Sequence, residues 1–392
     1  MSYVSELIKK EENRQKSGIE LIASENYISN DIRNALGSVF TDKYAEGYPE
    51  KRYYGGCSVV DELEEYCQKK WQEAFNTNYC VNVQPHSGTQ ANMAAFAAML
   101  DPGDTILSLD LNDGGHLSHG SSVSFSGKLY NIVSYGLDER GYIDYDDLMS
   151  KIIQYQPKLV LAGASAYPRE IDFKRIRSII DSVSDICEPY FMVDMSHIAG
   201  LVVSGDHQSP FGYADIITTT THKTLRGPRG GLIFSIPVYS KRINSAVFPY
   251  TQGGPHMNTI AAKAICAEEA CTPEFARYIH QVVFNAREMA EEFIRLDYKV
   301  VTGGTDNHMF LLDLSKTHPH VTGQMAQDRL DKHGITVNKN MVPGDQRKPS
   351  KTSGLRIGTP AMTTRGWTSR QFVACAAEVD RILNELEEEA KA

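Results

Sequence analysis

Between residues 78 and 236 the chain alternates short runs of β-branched and apolar residues with segments long enough to form helices. Strands that alternate with helices predict a doubly wound, mostly parallel sheet with helices on both faces. The sequence therefore predicts an α/β fold. The expected strands are residues 81–83, 106–109, 129–133, 159–161, 190–193 and 216–221.

The link between two of the β-rich runs is too short for a parallel connection. Only residues 223–230 separate the run 218–221 from the run 232–234, whereas a parallel crossover needs about a dozen residues or more. We therefore predict that these two strands are antiparallel.

The remaining sequence predicts an N-terminal arm and a second, smaller α+β domain. Val4, Leu7 and Ile8 place a narrow apolar stripe on a polar first helix that ends near Gly18. Two longer stripes at helical spacing predict helices that pack a core. They are Val282, Ala286, Met289, Phe293 and Leu296, and, in a closing helix, Phe372, Cys375, Val379, Ile382 and Leu386. The predicted bounds are 1–40 for the arm, 41–278 for the large domain and 279–392 for the small domain.

The composition narrows the possible partners and location. Of 392 residues, 41% are hydrophobic and 23% charged, as in a soluble globular protein. A formal net charge of -9 opposes binding to nucleic acid or a membrane surface and favours a small-molecule site. Seven cysteines without paired CxxC spacing predict free thiols, buried as packing residues, in a reducing compartment. Without a secretory segment or an apolar run of about 20 residues, the expected location is the cytoplasm.

Two residues at the ends of predicted strands could together serve a cofactor. Lys223 follows the run 216–221 and would bring an amine, which can form a Schiff base, to the carboxyl edge of the sheet. Asp194 follows the run 190–193 at the same edge. An acid there can keep the ring nitrogen of pyridoxal phosphate (PLP) protonated, so that the ring accepts electrons. Taken singly, Lys223 could be a surface lysine and Asp194 a helix cap or turn residue.

A candidate phosphate seat lies at residues 85–90, Pro-His-Ser-Gly-Thr-Gln, before a helix-like segment. Hydroxyl groups, a permissive glycine and free amides at the start of a helix can bind phosphate. The alternative is an ordinary Ser or Thr cap. The motifs of dinucleotide sites and of P-loops are missing from the sequence, so those sites lose their main support.

Arg356 and a pair of histidines are further candidates. Arg356 lies in the short apolar segment 354–358, where a guanidinium is costly to bury unless an anion pairs with it. A substrate carboxylate would suit its planar fork, and a structural salt bridge is the alternative. His116 and His119 could by their spacing suggest a metal, but no third ligand with compatible spacing is evident. An imidazole in this glycine-rich turn could instead lie flat on a cofactor ring.

Six long motifs carry a family resemblance. They are LIASEN at 21–26, KYAEGYP at 43–49, RYYGG at 52–56, VDMSH at 193–197, THKT at 221–224 and QGGP at 252–255. Together they resemble serine hydroxymethyltransferase, a PLP-dependent family of the aspartate aminotransferase fold, over nearly the whole chain. The resemblance implies a large PLP-binding domain with a mostly parallel, doubly wound sheet and a smaller C-terminal α+β domain.

The resemblance also implies which residues bind the cofactor. Lys223 matches the lysine that carries PLP as an imine, Asp194 the acid on the ring nitrogen, and His116 the histidine stacked on the ring. The other matches are Ser165 and His197 near the ring oxygen, Ser87, Gly88 and Thr89 in the phosphate loop, and Tyr44, Gly253 and Gly254 from a neighbouring subunit of an obligate dimer.

The same resemblance implies the substrate-binding and catalytic residues. Arg356 matches the residue that holds the substrate carboxylate, and Glu46 the proton-transfer carboxylate. The expected catalytic residues are Lys223, Glu46, Tyr54, His116, Asp194 and His222. The other expected substrate-side residues are Ser24, Tyr54 and Arg229, with Leu111, Gly115, Leu117 and Asn340 lining the folate site. Asn112, Asp113, Tyr250 and Met341 depart from the family pattern.

These matches predict reversible transfer of the serine hydroxymethyl group to tetrahydrofolate, giving glycine and 5,10-methylenetetrahydrofolate. A homodimer with shared sites, which could pair into a tetramer, would carry out the reaction. A folate-independent PLP aldolase acting on threonine-like substrates would use the same PLP and carboxylate residues and is the nearest alternative. A non-catalytic binding protein, for RNA for example, is an alternative of another class. The net negative charge of the chain does not favour it.

Overall fold

A computed structural model describes residues 2–392 of the chain. These residues form two compact units. The larger unit is Tyr27–His280, and the smaller unit combines the residues up to Asn26 with Gln281–Ala392.

The sheet of the larger unit has seven strands. Gly231–Ser235 is antiparallel to both of its neighbours, and the other neighbouring strands are parallel. This confirms the predicted α/β fold and the predicted antiparallel pair. In spatial order the strands are Cys80–Asn82, Gly231–Ser235, Ile216–Thr220, Tyr190–Asp194, Leu159–Ala162, Thr105–Leu109 and Asn131–Tyr135.

The helices of this unit connect the strands. One of them shows that the predicted start of a strand is wrong. The strand predicted from residue 129 begins only at Asn131, because Leu129 ends a short helix. A short apolar run does not distinguish a helix end from a strand start. The helices are Asn30–Leu36, Ser58–Ala74, Gly88–Met99, Phe125–Leu129, Tyr145–Tyr155, Phe173–Ser182, Ala199–Ser204, Ser240–Ser245 and Met257–Ala270. The unit also contains short 3-10 helices at Val39–Asp42, Leu117–His119 and Pro237–Tyr239, and a π-helical segment at Ala246–Thr251. A two-stranded antiparallel ribbon is formed by Gly47–Tyr48 and Lys51–Arg52.

The carboxyl ends of the central parallel strands position the candidate site. Every residue of Leu159–Ala162 and of Ile216–Thr220 is buried, as expected for strands covered on both faces. Asp194, the last residue of its strand, pairs with Thr218 of the neighbouring strand. In open α/β sheets this edge is where ligands bind.

The smaller unit has an antiparallel sheet of four strands. Its core includes Phe310 from the sheet, Phe293 from the first predicted stripe and Phe372 from the second, which confirms that both stripes pack a core. The strands in spatial order are Lys299–Val300, Met309–Asp313, Gly354–Gly358 and Asn338–Asn340, beside a parallel pair of Ile19–Glu20 and Ile335–Thr336. The helices are Tyr3–Ser17, Gly323–Lys332, Pro360–Thr364, Ser369–Lys391 and the 3-10 helix Val301–Gly303. The helix Pro273–Arg295 begins in the larger unit, and its residues from Gln281 onward belong to the smaller unit.

The first helix, Tyr3–Ser17, ends before Gly18 as predicted. Its apolar stripe of Val4, Leu7 and Ile8 is exposed. The long closing helix, by contrast, buries its stripe in the core of the same unit. No helix within residues 2–392 is both long enough and apolar enough to cross a bilayer.

The cysteines are free thiols, as predicted. Cys57, Cys67, Cys266 and Cys375 are buried. The prediction that all seven are buried packing residues is wrong for three of them. Cys271, at the carboxyl end of the helix Met257–Ala270, is exposed, and Cys80 and Cys187 are half-buried.

Candidate active site

The buried carboxylate of Asp194 is the centre of a hydrogen-bond network at the sheet edge. Its Oδ2 accepts from Asn92 Nδ2 at 2.8 Å and from His119 Nε2 at 3.0 Å. Its Oδ1 accepts from the Ser196 amide at 3.0 Å and from the Ser196 hydroxyl at 2.6 Å. Four hydrogen bonds therefore hold a side chain that is only 9% exposed.

These hydrogen bonds determine the charge of Asp194. Burial alone would raise the pKa of the carboxyl, but the hydrogen bonds from His119 and Asn92 and the proximity of His116 outweigh burial and hold the pKa far below its usual range. Asp194 is therefore ionised at neutral pH. A carboxylate of this kind can keep a proton on a heterocyclic nitrogen placed beside it.

Lys223 is joined to Asp194 through two hydroxyl-bearing residues. Lys223 Nζ donates to Thr220 Oγ1 at 3.2 Å. The Thr220 amide donates to Ser196 Oγ at 3.0 Å, and that hydroxyl donates to Asp194. The structure thus brings the amine and the acid to the same edge of the sheet.

The residues on either side of Lys223 are a neutral histidine and a hydrogen-bonded threonine. Burial, together with the positive charges of Lys223 and Arg229, lowers the pKa of His222 to about 3, so this imidazole is neutral. Thr224 Oγ1 donates to the main-chain carbonyl of His197 at 2.9 Å, and His197 itself is buried. Arg229 is exposed, in the loop that follows Lys223.

His116 is connected to the Asp194 network through Ser118. His116 Nδ1 lies 2.8 Å from Ser118 Oγ, and Asn92 Nδ2 donates to the same hydroxyl at 2.9 Å. The rings of His116 and His119 are 5.4 Å apart. The half-buried imidazole of His116 therefore lies beside the Asp194 network, where it could face a bound ring.

Ser165 follows the strand Leu159–Ala162 next to Asp194. At Gly163, whose φ is +130°, an added Cβ would lie 2.2 Å from the Asp194 carbonyl oxygen, so the two strand ends approach too closely for a side chain. The Ser165 amide donates to the Gly114 carbonyl at 2.7 Å. The backbone of residues 163–165 is thus held between the Asp194 strand and the turn that precedes His116.

Ser87, Gly88 and Thr89 lie at the start of the helix Gly88–Met99. Ser87 Oγ accepts from the Gln90 amide at 3.3 Å, which is an ordinary helix cap. Gly88 is buried, and an added Cβ would lie 2.5 Å from Thr220 Cγ2. The helix N-terminus, with its free amides and positive dipole end, therefore abuts the strand that leads to Lys223.

A second group of candidates, the loop cluster, consists of Tyr44, Glu46, Tyr54, Gly253 and Gly254. The rings of Tyr44 and Tyr54 meet edge to face with centroids 5.3 Å apart. An added Cβ at Gly254 would lie 3.1 Å from the Tyr44 ring and 3.5 Å from Glu46 Cγ. The negative charge of Glu46 raises the pKa of Tyr54. These contacts place all five residues together within one chain.

Arg52, which the sequence alone does not single out, fixes the backbone of the loop cluster. Its Nη1 donates to the carbonyls of Ala45 and Gly47, each at 2.9 Å. These two carbonyls flank Glu46. The guanidinium therefore determines the path of the chain on both sides of this carboxylate.

Two carboxylates hold the Arg52 guanidinium in turn, and the amide of Gln84 supports one of them. Its Nε lies 2.8 Å from Asp61 Oδ1, and its Nη2 lies 2.7 Å from Glu64 Oε2. Gln84 Nε2 donates both to Glu64 Oε1 at 2.8 Å and to the Gly47 carbonyl at 2.9 Å. Burial raises the pKa of Glu64 although the hydrogen bonds of Arg52 and Gln84 oppose it. We call this arrangement of Arg52, Asp61, Glu64 and Gln84 the Arg52 clamp.

The smaller unit contains Arg356 and Ser24. Arg356 is buried in the strand Gly354–Gly358, where its Nε donates to Asn338 Oδ1 at 3.0 Å. Burial lowers the pKa of Arg356 to about 10, so the guanidinium stays charged at neutral pH. The Gly358 amide donates to the Leu21 carbonyl at 2.8 Å, so the segment that leads to Ser24 passes the end of this strand.

The residues expected around the folate are divided between the two units. Leu111 and Leu117 are exposed in the turn that contains His116, and Gly115 between them is buried. An added Cβ at Gly115 would lie 2.4 Å from the Leu109 carbonyl oxygen, so this turn requires glycine. In the smaller unit, Asn340 pairs with Gly354 across the sheet and donates from Nδ2 to the Met341 carbonyl at 2.7 Å.

Sequence reasoning misses several residues that support these groups. The sequence gives no reason to single out Asn92, and it suggests His119 only as a metal ligand. Ser196 and Arg52 lie inside the motifs VDMSH and RYYGG, which carry the only sequence signal for them. For Asn92 no such signal exists, because its contact with Asp194 joins positions 102 residues apart.

One comparison with known proteins bears on this geometry. A sequence model of the family serine hydroxymethyltransferase matches residues 2–379 of the 392-residue chain. The match covers every candidate residue described above. Enzymes of this family are PLP-dependent and use tetrahydrofolate as a co-substrate. The chain therefore belongs to the serine hydroxymethyltransferase family.

Proposed function

We propose that this chain reversibly transfers the hydroxymethyl group of serine to tetrahydrofolate, giving glycine and 5,10-methylenetetrahydrofolate, with the residues assigned below. The family match supports the activity. The observation that carries the residue assignment is the Asp194 network, in which a buried, ionised carboxylate is linked through Ser196 and Thr220 to the amine of Lys223.

The residues at the sheet edge fit PLP. When bound, PLP supplies an electron sink for the electron pair that remains when a bond to the alpha carbon breaks. We assign Lys223 to hold the cofactor covalently and Asp194 to keep its ring nitrogen protonated, while His222 stays neutral beside the lysine. The other assigned cofactor residues are His116, Ser165 and His197 at the ring and Ser87, Gly88 and Thr89 at the phosphate.

The amino-acid substrate requires a cation for its carboxylate, and we assign that role to Arg356. Each charged hydrogen bond of this kind contributes about 1.5 to 3 kcal/mol. The planar fork of a guanidinium matches a carboxylate better than an ammonium group does. We assign Ser24 and Tyr54 to substrate contacts, and Glu46 to the transfer of protons.

The folate site is proposed at the turn that contains His116. Leu111 and Leu117 offer exposed apolar side chains there, which suit a flat heterocycle. We assign Gly115 to the same site, and we assign Asn340 of the smaller unit to folate binding as well. Arg229, exposed in the loop after Lys223, would support the substrate region.

We further propose that the enzyme is a homodimer with shared sites, in which the loop cluster completes the site of the neighbouring subunit. Tyr44 and Tyr54 are 59% and 49% exposed, and exposed aromatic side chains are typical of protein interfaces. Because Tyr44, Glu46 and Tyr54 lie together, the subunit that supplies Tyr44 also supplies the other two. Sedimentation equilibrium tests this proposal, and a monomer with full activity would contradict it.

A cytoplasmic location is also proposed. Free cysteines suit a reducing compartment, and all seven are free thiols. Cell fractionation tests the location, and recovery of the protein from an oxidising compartment would contradict it.

The substitution Lys223→Ala tests the proposed function. We expect turnover of serine to fall by roughly 10³-fold or more, because alanine has no amine with which to hold PLP covalently. Borohydride reduction of the wild-type enzyme should fix PLP to the peptide that contains residue 223, as measured by mass spectrometry. Lys241→Ala, which changes an exposed lysine, serves as the matched control.

Two outcomes would contradict the proposal. Full turnover by the Lys223→Ala enzyme, or PLP fixed to another peptide, would remove the assignment of Lys223. Serine cleavage that is equally fast with and without tetrahydrofolate would favour the folate-independent aldolase instead.

A further inference from the structure

Lys263 is a buried lysine that the proposed mechanism does not use. It lies in the helix Met257–Ala270 and is 1% exposed. Its Nζ donates to three main-chain carbonyls, those of Val83 at 2.7 Å, Pro85 at 3.0 Å and Gly231 at 2.9 Å. Lysine is rarely fully buried, so a buried lysine whose amine is paired with three backbone carbonyls indicates a specific structural role.

The three acceptors require the charged form of Lys263. An ammonium group has three N–H donors, whereas a neutral amine has only two. Burial lowers the pKa of Lys263 to about 8, although Cys67 and Glu64 on the neighbouring helix oppose this effect. The amine is thus mainly protonated at neutral pH, and one buried positive charge organises three carbonyl groups.

The carbonyls belong to two segments that meet at the proposed phosphate seat. Val83 and Pro85 lead directly into Ser87, and the Gly231 amide donates back to the Pro85 carbonyl at 3.1 Å. An added Cβ at Gly231 would lie 2.4 Å from the Ser87 carbonyl oxygen. Lys263 therefore fixes the backbone immediately before the seat and the strand against which that backbone packs.

Lys263 also contacts the loop that follows Lys223. An added Cβ at Gly230 would lie 2.5 Å from Lys263 Cε, so the lysine side chain lies directly against this glycine. The Thr221 amide donates to the Gly230 carbonyl at 3.2 Å, which closes the loop between residues 221 and 230. The same side chain thus supports the loop that carries Lys223.

We propose that Lys263 is a positioning residue for the cofactor phosphate, which acts by holding residues 83–87 and 230–231 in the geometry that the phosphate seat needs. The inference rests on the proposed function, since it takes the Ser87, Gly88 and Thr89 loop as the seat. Lys263 itself is not a phosphate ligand, because its three donors are directed to carbonyl groups.

The affinities of the apoenzyme for PLP and for pyridoxal, which lacks the phosphate, test this inference. In Lys263→Met the side chain keeps most of its volume and loses its charge and donors. We expect the dissociation constant for PLP to rise roughly ten- to hundredfold and that for pyridoxal to change by less than about threefold. Lys241→Met is the matched control and should leave both constants unchanged.

The outcomes separate this inference from the proposed function. A wild-type enzyme that binds PLP and pyridoxal equally well would overturn the phosphate seat, and the inference with it. If the wild type prefers PLP but Lys263→Met keeps the same preference, only the inference fails. An equal loss of affinity for both compounds also overturns it, because the defect is then not specific to phosphate. Should Lys263→Met fail to fold by circular dichroism, Lys263→Gln, which retains two donors, is measured in the same way.

Discussion

The Asp194 network and the loop cluster belong to the same unit, yet they differ in exposure. Asp194 is 9% exposed and accepts hydrogen bonds from a helix, a turn and the segment after its own strand, whereas Tyr44 and Tyr54 are 59% and 49% exposed. The first group is complete within one chain. The second presents catalytic candidates at a surface, as expected if another subunit covers them.

Exposure does not mean that the loop cluster is loosely held. The side chains of Arg52 and Glu64, which hold the backbone around Glu46, are 3% and 0% exposed. The exposed residues therefore stand on a backbone that is fixed from the protein interior. The two groups should therefore respond differently to substitution. Substitutions in the Asp194 network should change catalysis at the cofactor, whereas the loop cluster should be most sensitive to changes in the buried Arg52 clamp that holds its backbone.

Among the substitutions that compare these two groups, the largest effect is expected from Asp194→Asn. The amide is nearly the same size but carries no charge, so it cannot hold a proton on the ring nitrogen. The loss corresponds to breaking a buried ion pair, about 3–5 kcal/mol, and thus to a decrease of roughly 10² to 10⁴-fold in turnover. Steady-state kinetics with saturating PLP measures the effect.

Asp215→Asn is the matched control for Asp194→Asn. Asp215 accepts from the Phe191 amide at 2.8 Å and lies 3.7 Å from Arg177, so its role is structural. An asparagine can still accept that hydrogen bond, and turnover should stay within about twofold of wild type. Turnover by Asp194→Asn as high as that of the control would show that the charge of Asp194 is not used.

The surroundings of Asp194 show which parts of the site can be predicted from the sequence and which cannot. Asp194 and Lys223 could be predicted at one edge because a strand end is a local feature, and the antiparallel pair followed from a short link. His119 and Asn92 could not, because they lie 75 and 102 residues from Asp194 and reach it only through packing of the turn and of the helix Gly88–Met99. The Arg52 clamp escapes prediction for the same reason, since its partners are identified by three-dimensional contacts and not by periodicity.

The next effect is expected from Arg52→Met, and it concerns stability. Removal of the guanidinium leaves Glu64 buried without its counter-ion, which should lower the free energy of unfolding by about 3–5 kcal/mol. Urea denaturation of the apoenzyme measures it. Activity should also fall, because the carbonyls that flank Glu46 lose their common donor.

The double substitution Arg52→Met with Glu64→Gln separates the two consequences. The second change removes the stranded charge, so stability should recover in part. Activity should not recover, because the donor to the Ala45 and Gly47 carbonyls is still missing. A double variant that regains both would show that Arg52 only balances the charge of Glu64.

The smallest effect is expected from Tyr54→Phe, which removes one hydroxyl from the exposed surface of the loop cluster. This hydroxyl interacts with Glu46, and its loss should lower kcat by roughly tenfold if Glu46 transfers protons in the reaction. The free energy of unfolding should change by less than about 0.5 kcal/mol, because the side chain is at the surface. Tyr53→Phe is the matched control, since the neighbouring Tyr53 ring packs edge to face on Phe248 and is even more exposed. Equal losses of kcat in the two variants would place the chemistry elsewhere, whereas a loss confined to Tyr54→Phe would show that an exposed hydroxyl on a rigid loop takes part in the reaction.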